Sequence, residues 1–187
     1  MIPASRVEPE KPLLGRAPVL DFSQPLDALK DCHDRTRAQC AALRELAKRL
    51  PSHGCDAPAQ QAASGILRYF DGAGRHHAED EEHDLFPRMI AAAAGQAAER
   101  IALLTARLER EHREMGESWL NLRDGLECIA HGENALLDEL EVSRFCELYR
   151  AHIAVEDADV IPLAAALLDD DALAALGRAM AARRGVR

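Results

Sequence analysis

The stretch HHAEDEEHDLFP, residues 76–87, carries three histidines and five carboxylates. By itself it is typical either of a solvated helix surface or of one half of a metal site. A second stretch, HIAVEDADVIP at residues 152–162, repeats the order of residues 77–87: a histidine, a glutamate four places later, an acid beside it, another acid, two apolar residues and a proline. A solvated surface has no reason to repeat this order, so the repeat favours the metal site.

The spacing within each copy has a direct chemical meaning. Residues four apart project from the same face of a helix, about one turn from each other. His77 with Glu81, and His152 with Glu156, would therefore each present an imidazole and a carboxylate to one spot. Imidazole suits divalent iron, zinc or copper, and a carboxylate can bridge two metal ions.

A single histidine precedes each copy of the repeat. His33 lies on the apolar face of a predicted first helix, and His112 lies in a predicted third helix. In an antiparallel bundle all four helices can bring their donors to the same depth. Four histidines and two glutamates form a sensible ligand set for a pair of iron ions, and two glutamates together with a bridging oxide or hydroxide would largely neutralise the charge of two metal dications. The predicted metal ligands are His33, His77, Glu81, His112, His152 and Glu156.

For each donor a purely structural interpretation stays open: Glu81 as a surface carboxylate, for example, or His112 on the charged flank of its helix. Glu82, His83 and Asp157 adjoin the predicted ligands and are candidates to hydrogen-bond them. His83 otherwise belongs to the surface, because it is rotated away from the face that carries the ligands.

The composition favours an all-α fold. The chain is 48% hydrophobic but only 4% aromatic, which suits packed helices better than sheets. Ser23 is predicted to cap a first helix that ends at a loop over residues 51–58, and Pro87 should kink the second helix or shift its hydrogen bonding. Further helices are predicted near residues 58–94, 96–129, 136–168 and 170–183.

These helices predict an up-down-up-down four-helix bundle. We expect an N-terminal arm over residues 1–22, the bundle over 23–168, and a short C-terminal helix and tail over 169–187. The sequence DGAG, residues 71–74, is expected to interrupt or distort the second helix.

Charge and hydropathy exclude several classes of function. A net charge of −9 argues against nucleic acid as a partner and gives no support to binding at an anionic membrane surface. No apolar run approaches the roughly 18 residues of a membrane span. The N-terminus lacks the pattern of a signal peptide, and the five cysteines show no CxxC spacing, so we expect reduced thiols in a cytoplasmic protein.

With these residues in hand, the chain resembles the hemerythrin-like, or HHE cation-binding, domain family. The resemblance covers about residues 23–168 and rests on HHAEDEEHDLFP and YRAHIAVEDADVIP together with His33 and His112. It implies a four-helix bundle around an oxo- or hydroxo-bridged di-iron centre, although other divalent metals also suit the donors. Glu81 and Glu156 would be the bridging carboxylates and the four histidines the terminal ligands.

The sequence departs from the oxygen carriers of that family in two places. Gly116 stands where they have a fifth histidine, and Glu156 stands at the fourth place of the last motif where they have an aspartate at the fifth. In this ligand pattern the chain is similar to the di-iron members proposed to repair damaged iron–sulfur clusters. Those members usually carry an additional N-terminal domain with a cysteine motif, which residues 1–22 do not contain.

The leading hypothesis is a di-iron protein that binds or reacts with O2, NO or peroxide in stress response or iron handling. The alternatives are a di-iron redox enzyme of the oxidase, peroxidase or NO-reductase kind, and a metal-dependent sensor or interaction module. The sequence does not decide between binding and turnover. We expect a monomer or a homodimer whose partner is the small ligand, with no nucleic acid and no membrane.

Overall fold

The computed structural model describes residues 20–186, which form helices and loops without any strand. Five helices follow one another, and we label them α1 to α5. Their bounds are Pro25–His53 for α1, residues 57–92 for α2, Gln96–Ala130 for α3, residues 139–167 for α4 and Asp170–Arg183 for α5. The all-α fold predicted from the composition is confirmed.

Helices α2 and α4 contain π-helical turns, in which the backbone hydrogen bonds span five residues instead of four. In α2 the successive stretches are Ala57–Arg68, the π-turn Tyr69–Gly74, Arg75–Asp80, the π-turn Glu81–Leu85 and Phe86–Ala92. In α4 they are Glu139–Val155, the π-turn Glu156–Val160 and Ile161–Leu167. The distortions predicted at residues 71–74 and at Pro87 are therefore present, and a further π-turn precedes Pro162.

The prolines account for two of these π-turns. Pro87 and Pro162 have no backbone N–H, and a proline ring inside a helix collides with the carbonyl four residues earlier. Widening the preceding turn relieves this conflict. The N–H of Phe86 then donates to the carbonyl of Glu81, and the N–H of Ile161 donates to that of Glu156. Each π-turn thus begins at a glutamate of the predicted metal site.

Four helices form a closed ring in which α1 packs on α2, α2 on α3, α3 on α4 and α4 on α1. Short loops over residues 54–56, 93–95 and 131–138 join them. Because successive helices are joined by short loops and pack against each other, they run antiparallel. The ring is the bundle expected from the sequence, and α5 packs across one end of it against α1 and α2.

Three predicted helix ends were wrong. Gln24, not Ser23, precedes the first turn of α1, and its side chain makes no capping hydrogen bond. Pro25 stands at the start of the helix, where its missing N–H is no loss. Helix α1 continues through Pro51 to His53, so the predicted break at residue 51 is absent. Helix α4 begins at Glu139 rather than near residue 136, because the Asp138 side chain accepts hydrogen bonds from the N–H groups of the first turn.

The apolar core is divided into two clusters along the bundle. One contains Leu43, Ile66, Leu126 and Phe145, and the other contains Leu29, Phe86, Met89 and Leu108. Between them lies a layer of buried histidines and glutamates, described below. The two apolar clusters shield this layer from solvent at both ends.

Helix α5 is fastened to the bundle by buried charges. Leu176 and Met180 enter the second core cluster, and the guanidinium groups of Arg183 and Arg184 both contact the fully buried carboxylate of Asp80. A buried carboxylate needs such partners, because an unpaired buried charge is strongly destabilising. These ion pairs attach α5 to α2 at Asp80, the residue that precedes Glu81.

The predicted N-terminal arm, residues 1–22, lies outside the described residues except for its last three. Of those three, Leu20 and Phe22 pack against the second core cluster. All five cysteines are free thiols. Within residues 20–186, no helix has both the length and the apolar character needed to cross a lipid bilayer.

Candidate metal centre

The structure brings all six sequence-predicted donors into one layer. Helix α1 supplies His33, α2 supplies His77 and Glu81, α3 supplies His112, and α4 supplies His152 and Glu156. The two glutamates are fully buried, and His33, His77 and His152 are buried as well. The side chain of His112 is also nearly inaccessible, with 7% of its surface exposed.

The six donors divide into two groups that share both glutamates. One group is His33, His77, Glu81 and Glu156, and the other is Glu81, His112, His152 and Glu156. Within each group, one donor atom per residue lies within 4.8 Å of all the others. The imidazole rings of His33 and His77 are 4.9 Å apart between centroids, and those of His112 and His152 are 4.6 Å apart.

Each carboxylate directs one oxygen to each group. Glu81 places Oε1 at 3.5 Å from His77 Nε2 and Oε2 at 3.3 Å from His112 Nε2. Glu156 places Oε2 at 3.2 Å from His33 Nε2 and Oε1 at 2.8 Å from His152 Nε2. This division of oxygens is the one that two bridging carboxylates require, because each must serve two cations with separate atoms.

Seven of the metal-facing atoms are buried without a hydrogen-bond partner among the described residues. They are Nε2 of His33, His112 and His152 and all four carboxylate oxygens of Glu81 and Glu156. Buried polar atoms are normally hydrogen-bonded, and leaving them unsatisfied is costly. A cation in each group would satisfy these atoms together, so the donor set fits a pair of metal ions.

Carboxylates beside the centre hold the opposite nitrogen of three histidines. Asp157 lies 2.7 Å from His33 Nδ1, Glu82 lies 2.7 Å from His112 Nδ1, and Glu111 lies 2.9 Å from His152 Nδ1. When a neutral ring carries its proton on Nδ1, it donates to this carboxylate and its Nε2 lone pair faces the centre.

The contacts of Glu82 and Asp157 join neighbouring helices, since Glu82 on α2 contacts His112 on α3 and Asp157 on α4 contacts His33 on α1. Each follows a shared glutamate in sequence and reaches a histidine on a different helix, as their places beside the predicted ligands suggested. His83, the third residue considered for this role, is exposed at the surface.

The sequence did not predict the contact of Glu111, which lies outside the repeat and immediately precedes His112. The corresponding place before His33 is occupied by Cys32, which is buried. His77 Nδ1 has no hydrogen-bond partner among the described residues. The two donor groups therefore have similar metal-facing atoms but differ in the carboxylates that contact Nδ1. Both histidines of the His112 group have such a partner, whereas only His33 has one in the other group.

The ionisation of these residues reflects their crowding. Burial lowers the pKa of His33, but Glu156 and Asp157 outweigh it and raise that pKa to about 9. Burial likewise lowers the pKa of His112, but Glu81 and Glu82 outweigh it and raise that pKa to about 10. Burial and the neighbouring carboxylate of Glu156 raise the pKa of Glu81 to about 7. The pKa of His152 is also raised, because Glu156 outweighs the effect of burial. Without a cation, the layer thus balances its carboxylates with protons on histidines.

His77 behaves differently from these histidines. Burial lowers its pKa to about 3, and the charge of His33 adds to the effect. A neutral imidazole is the form that binds a metal ion. His77 is therefore ready to bind at neutral pH without first losing a proton.

A cavity of about 490 Å³ opens beside the centre and is lined by residues of all four bundle helices. Its inner wall includes His77, His112 and His152, while Asp71 and Arg75 lie where it meets solvent. Small molecules from solution can therefore reach the histidine side of both donor groups. The sequence carried no signal of this cavity.

The fold and the centre define a class: an antiparallel helical bundle with a buried histidine–carboxylate layer built to hold cations. The model of the hemerythrin HHE cation-binding domain matches residues 24–164, and the chain belongs to this family. It is also similar to an uncharacterized protein of Haemophilus influenzae, with 29% identity over 166 residues, 89% of this chain and 93% of that protein. A cation-binding role follows from the family and agrees with the two donor groups.

Proposed function

We propose that the protein holds two iron ions in this centre and uses them to bind or react with O2, NO or peroxide. One observation carries the proposal: each of the two shared glutamates offers separate oxygens to two groups that each contain two histidines. Mixed imidazole and carboxylate donors suit iron. A pair of iron ions supplies open coordination positions and electrons for small oxidising or radical molecules.

The residues of the chain have distinct parts in this proposal. His33 and His77 would serve one ion, His112 and His152 the other, and Glu81 and Glu156 would bridge them. Asp157, Glu82 and Glu111 keep three of the rings oriented through Nδ1. The apolar clusters on either side exclude water from the layer, and the cavity admits a small ligand from one side.

Redox turnover at the same centre is the second candidate function, and the cavity favours it because it leaves room for a molecule other than the small oxidant. Roles in stress response, iron handling or iron–sulfur cluster repair, and a cytoplasmic location, agree with a reactive di-iron centre and belong to the proposal.

The test begins with metal analysis and absorption spectra of the protein purified after expression in iron-replete medium. Close to two iron ions per chain are expected, with the near-ultraviolet absorption of a bridged ferric pair. Glu81→Ala and Glu156→Ala should each empty the centre, whereas Glu79→Ala, on the same helix but outside the donor groups, should keep both ions. A well-folded wild-type protein that contains zinc or no metal would contradict the proposal.

Stopped-flow mixing of the reduced protein with O2 or NO then separates the two candidates. Binding predicts a stable adduct formed once per centre. Turnover predicts continued consumption of the small molecule when an electron donor is present. No reaction with O2, NO or peroxide by a protein that holds two irons would overturn the ligand part of the proposal.

A further inference from the structure

The cavity beside the metal centre is much larger than a diatomic ligand requires. A water molecule takes up about 30 Å³ in the liquid, and the cavity measures about 490 Å³. A space of this size lies within the range of roughly 300–1,000 Å³ that is usual for sites of small organic molecules.

One wall of the cavity is a continuous aromatic surface. The ring of Phe70 lies 5.0 Å from that of Trp119 and 5.3 Å from that of Tyr149, measured between centroids. Phe70 and Met115 are anchored in the core, with 5% and 3% of their surface accessible. The indole N–H of Trp119 donates to Asp71 Oδ1 at 2.9 Å, which fixes the ring. The wall is therefore preformed and apolar.

The outer end of the cavity carries a positive charge that is only weakly paired. Asp71 is held by Arg123, at 3.1 Å, and by Trp119, so its charge is already compensated. Arg75 is 66% exposed in its side chain, and its nearest carboxylate is Glu79, at 3.6 Å. Arg123, the other cation of the lining, also pairs with Glu127 at 2.9 Å, so Arg75 is the more exposed and more loosely paired of the two.

This local charge contrasts with the whole chain, whose net charge is −9. A cation that stands at the open end of an apolar cavity, on an otherwise acidic protein, selects for an anionic group on the ligand. The Tyr149 side chain also lines the cavity, and its hydroxyl makes no hydrogen bond to another described residue, so it is available to a ligand.

We propose that the cavity binds a small organic acid. Its apolar body lies along Phe70, Trp119 and Tyr149. Its carboxylate pairs with Arg75 at the outer end. The far end of the apolar body then lies beside His77, His112 and His152. The proposal deepens the proposed function by naming the molecule held next to the metal pair, and it rests on that function only for this placement.

Trp119 makes the proposal directly testable, because it is the one tryptophan of the 187-residue chain and it lines the cavity. Full-length, metal-loaded protein is titrated with 3-phenylpropanoate while Trp119 fluorescence is recorded, and calorimetry on the same sample provides the dissociation constant. A saturable change with one site per chain is expected. No saturable binding by either method overturns the proposal.

Variants test the two ends of the site. Arg75→Gln should weaken binding about tenfold, since it removes a charge-assisted hydrogen bond. Arg178→Gln, the same change at an exposed residue of α5, should leave the affinity unchanged. Gly116→Leu should also weaken binding, because the added side chain enters open space at the cavity wall, where a Cβ meets no atom within 4 Å. Equal affinity of wild type and Arg75→Gln would overturn the assignment of the carboxylate.

Two further ligands test whether the acid binds in the cavity or on the metal ions. The neutral 3-phenylpropanamide should bind about tenfold more weakly than the acid, and acetate, which lacks the apolar body, should not change Trp119 fluorescence. Acetate that binds as tightly as the acid would place the carboxylate on the metal ions and overturn the proposal. Metal content is measured on every sample, so loss of acid binding with two irons retained counts against the cavity alone, and absence of iron counts against the proposed function.

Discussion

At the scale of single residues, the centre depends on carboxylates that never face the metal position. Asp157, Glu82 and Glu111 lie behind His33, His112 and His152 and decide which ring nitrogen carries the proton. Such partners commonly contribute 10- to 100-fold to metal affinity, roughly as much as a poorly placed ligand would cost. Because two of them follow the shared glutamates directly, one short segment supplies both a donor and the support for a donor of another helix.

Asp157→Asn should therefore lower the affinity for the metal. The amide keeps the shape of the side chain but is a weaker acceptor for His33 Nδ1–H, so the ring loses orientation and basicity. We expect the metal dissociation constant of the site that contains His33 to rise about 10- to 100-fold. Competition with a chromophoric chelator measures this constant. Asp159→Asn, an exposed position in the same π-turn, is the matched control. Equal losses in the two variants would show that general charge, not the contact with His33, is responsible.

Metal uptake should release protons at a pH where ordinary histidines carry none. The pKa of His33 is about 9 and that of His112 is about 10, so both rings are protonated near pH 8. Both must lose that proton before Nε2 can bind a cation. The pKa of His152 is raised as well, because Glu156 outweighs the effect of burial. We expect about two protons or more to be released per chain near pH 8, with the number falling as the pH rises above the pKa values of His33 and His112. A pH indicator in weakly buffered solution measures the release.

The control for this measurement follows from the same contacts. Asp157→Asn removes one carboxylate that keeps His33 protonated, so the release near pH 8 should drop by up to about one proton. Histidines with the ordinary pKa of about 6.5 would release almost none at that pH. A wild-type value near zero would therefore contradict the protonated state described for the metal-free layer.

At the scale of the elements, the π-turns and the packing of α5 show how local sequence and neighbouring helices share control. Pro87 and Pro162 widen the helix just after each shared glutamate, so both copies of the repeat enter the layer with the same backbone geometry. In α5, Gly177 allows the backbone of Phe22 to pass close to the helix. A Cβ at Gly177 would lie 2.0 Å from the backbone oxygen of Phe22, which passes directly over the helix.

Gly177→Ala and Gly116→Ala should change stability in opposite directions. In a helix, replacing glycine by alanine usually raises the free energy of unfolding by about 0.5–1 kcal/mol. Gly116 has open space around it and should show this gain. At Gly177 the clash with backbone should outweigh the gain and lower the free energy of unfolding by about 1–3 kcal/mol. Urea unfolding of the metal-free proteins measures both, and a stabilising Gly177→Ala would mean that residues 20–24 do not pack on α5 as described.

At the scale of the whole molecule, a polar layer divides the apolar core, and the bundle must hold together around it. Without cations, the buried carboxylates are balanced only by protons on histidines. Bound cations would satisfy the metal-facing atoms. We therefore expect metal binding and folding to be coupled, since a site that forms only in the folded chain stabilises that state.

Removal of the metal should lower the melting temperature. With free metal about 100-fold above the dissociation constant, each site contributes about 2.7 kcal/mol, and two sites in a domain of this size correspond to roughly 10–20 °C. Differential scanning calorimetry with and without a strong chelator measures the change. The double variant Glu81→Gln and Glu156→Gln, which cannot bridge two cations, should melt at the same temperature in both conditions. An unchanged wild-type melting temperature after complete demetallation would argue against this coupling.

Much of the centre could be predicted because its spacing is local. The pairs His77 with Glu81 and His152 with Glu156 follow from four-residue helical spacing, and the repeat pointed to Glu82 and Asp157 as well. Glu111 was missed because the equivalent place before His33 is a cysteine, so no repeat marked it. Asp80 was missed because its partners, Arg183 and Arg184, come from the other end of the chain.

By itself, the sequence determined which residues can act as donors and on which face of each helix they lie, because the backbone hydrogen bonds of a helix set that periodicity locally. Only the tertiary structure decided that His33 shares a group with His77 and His112 with His152, which oxygen of each glutamate serves which group, and that a cavity meets the layer at Trp119 and Tyr149. These features depend on the register and packing of helices that are distant in sequence, and helical periodicity carries no information about either.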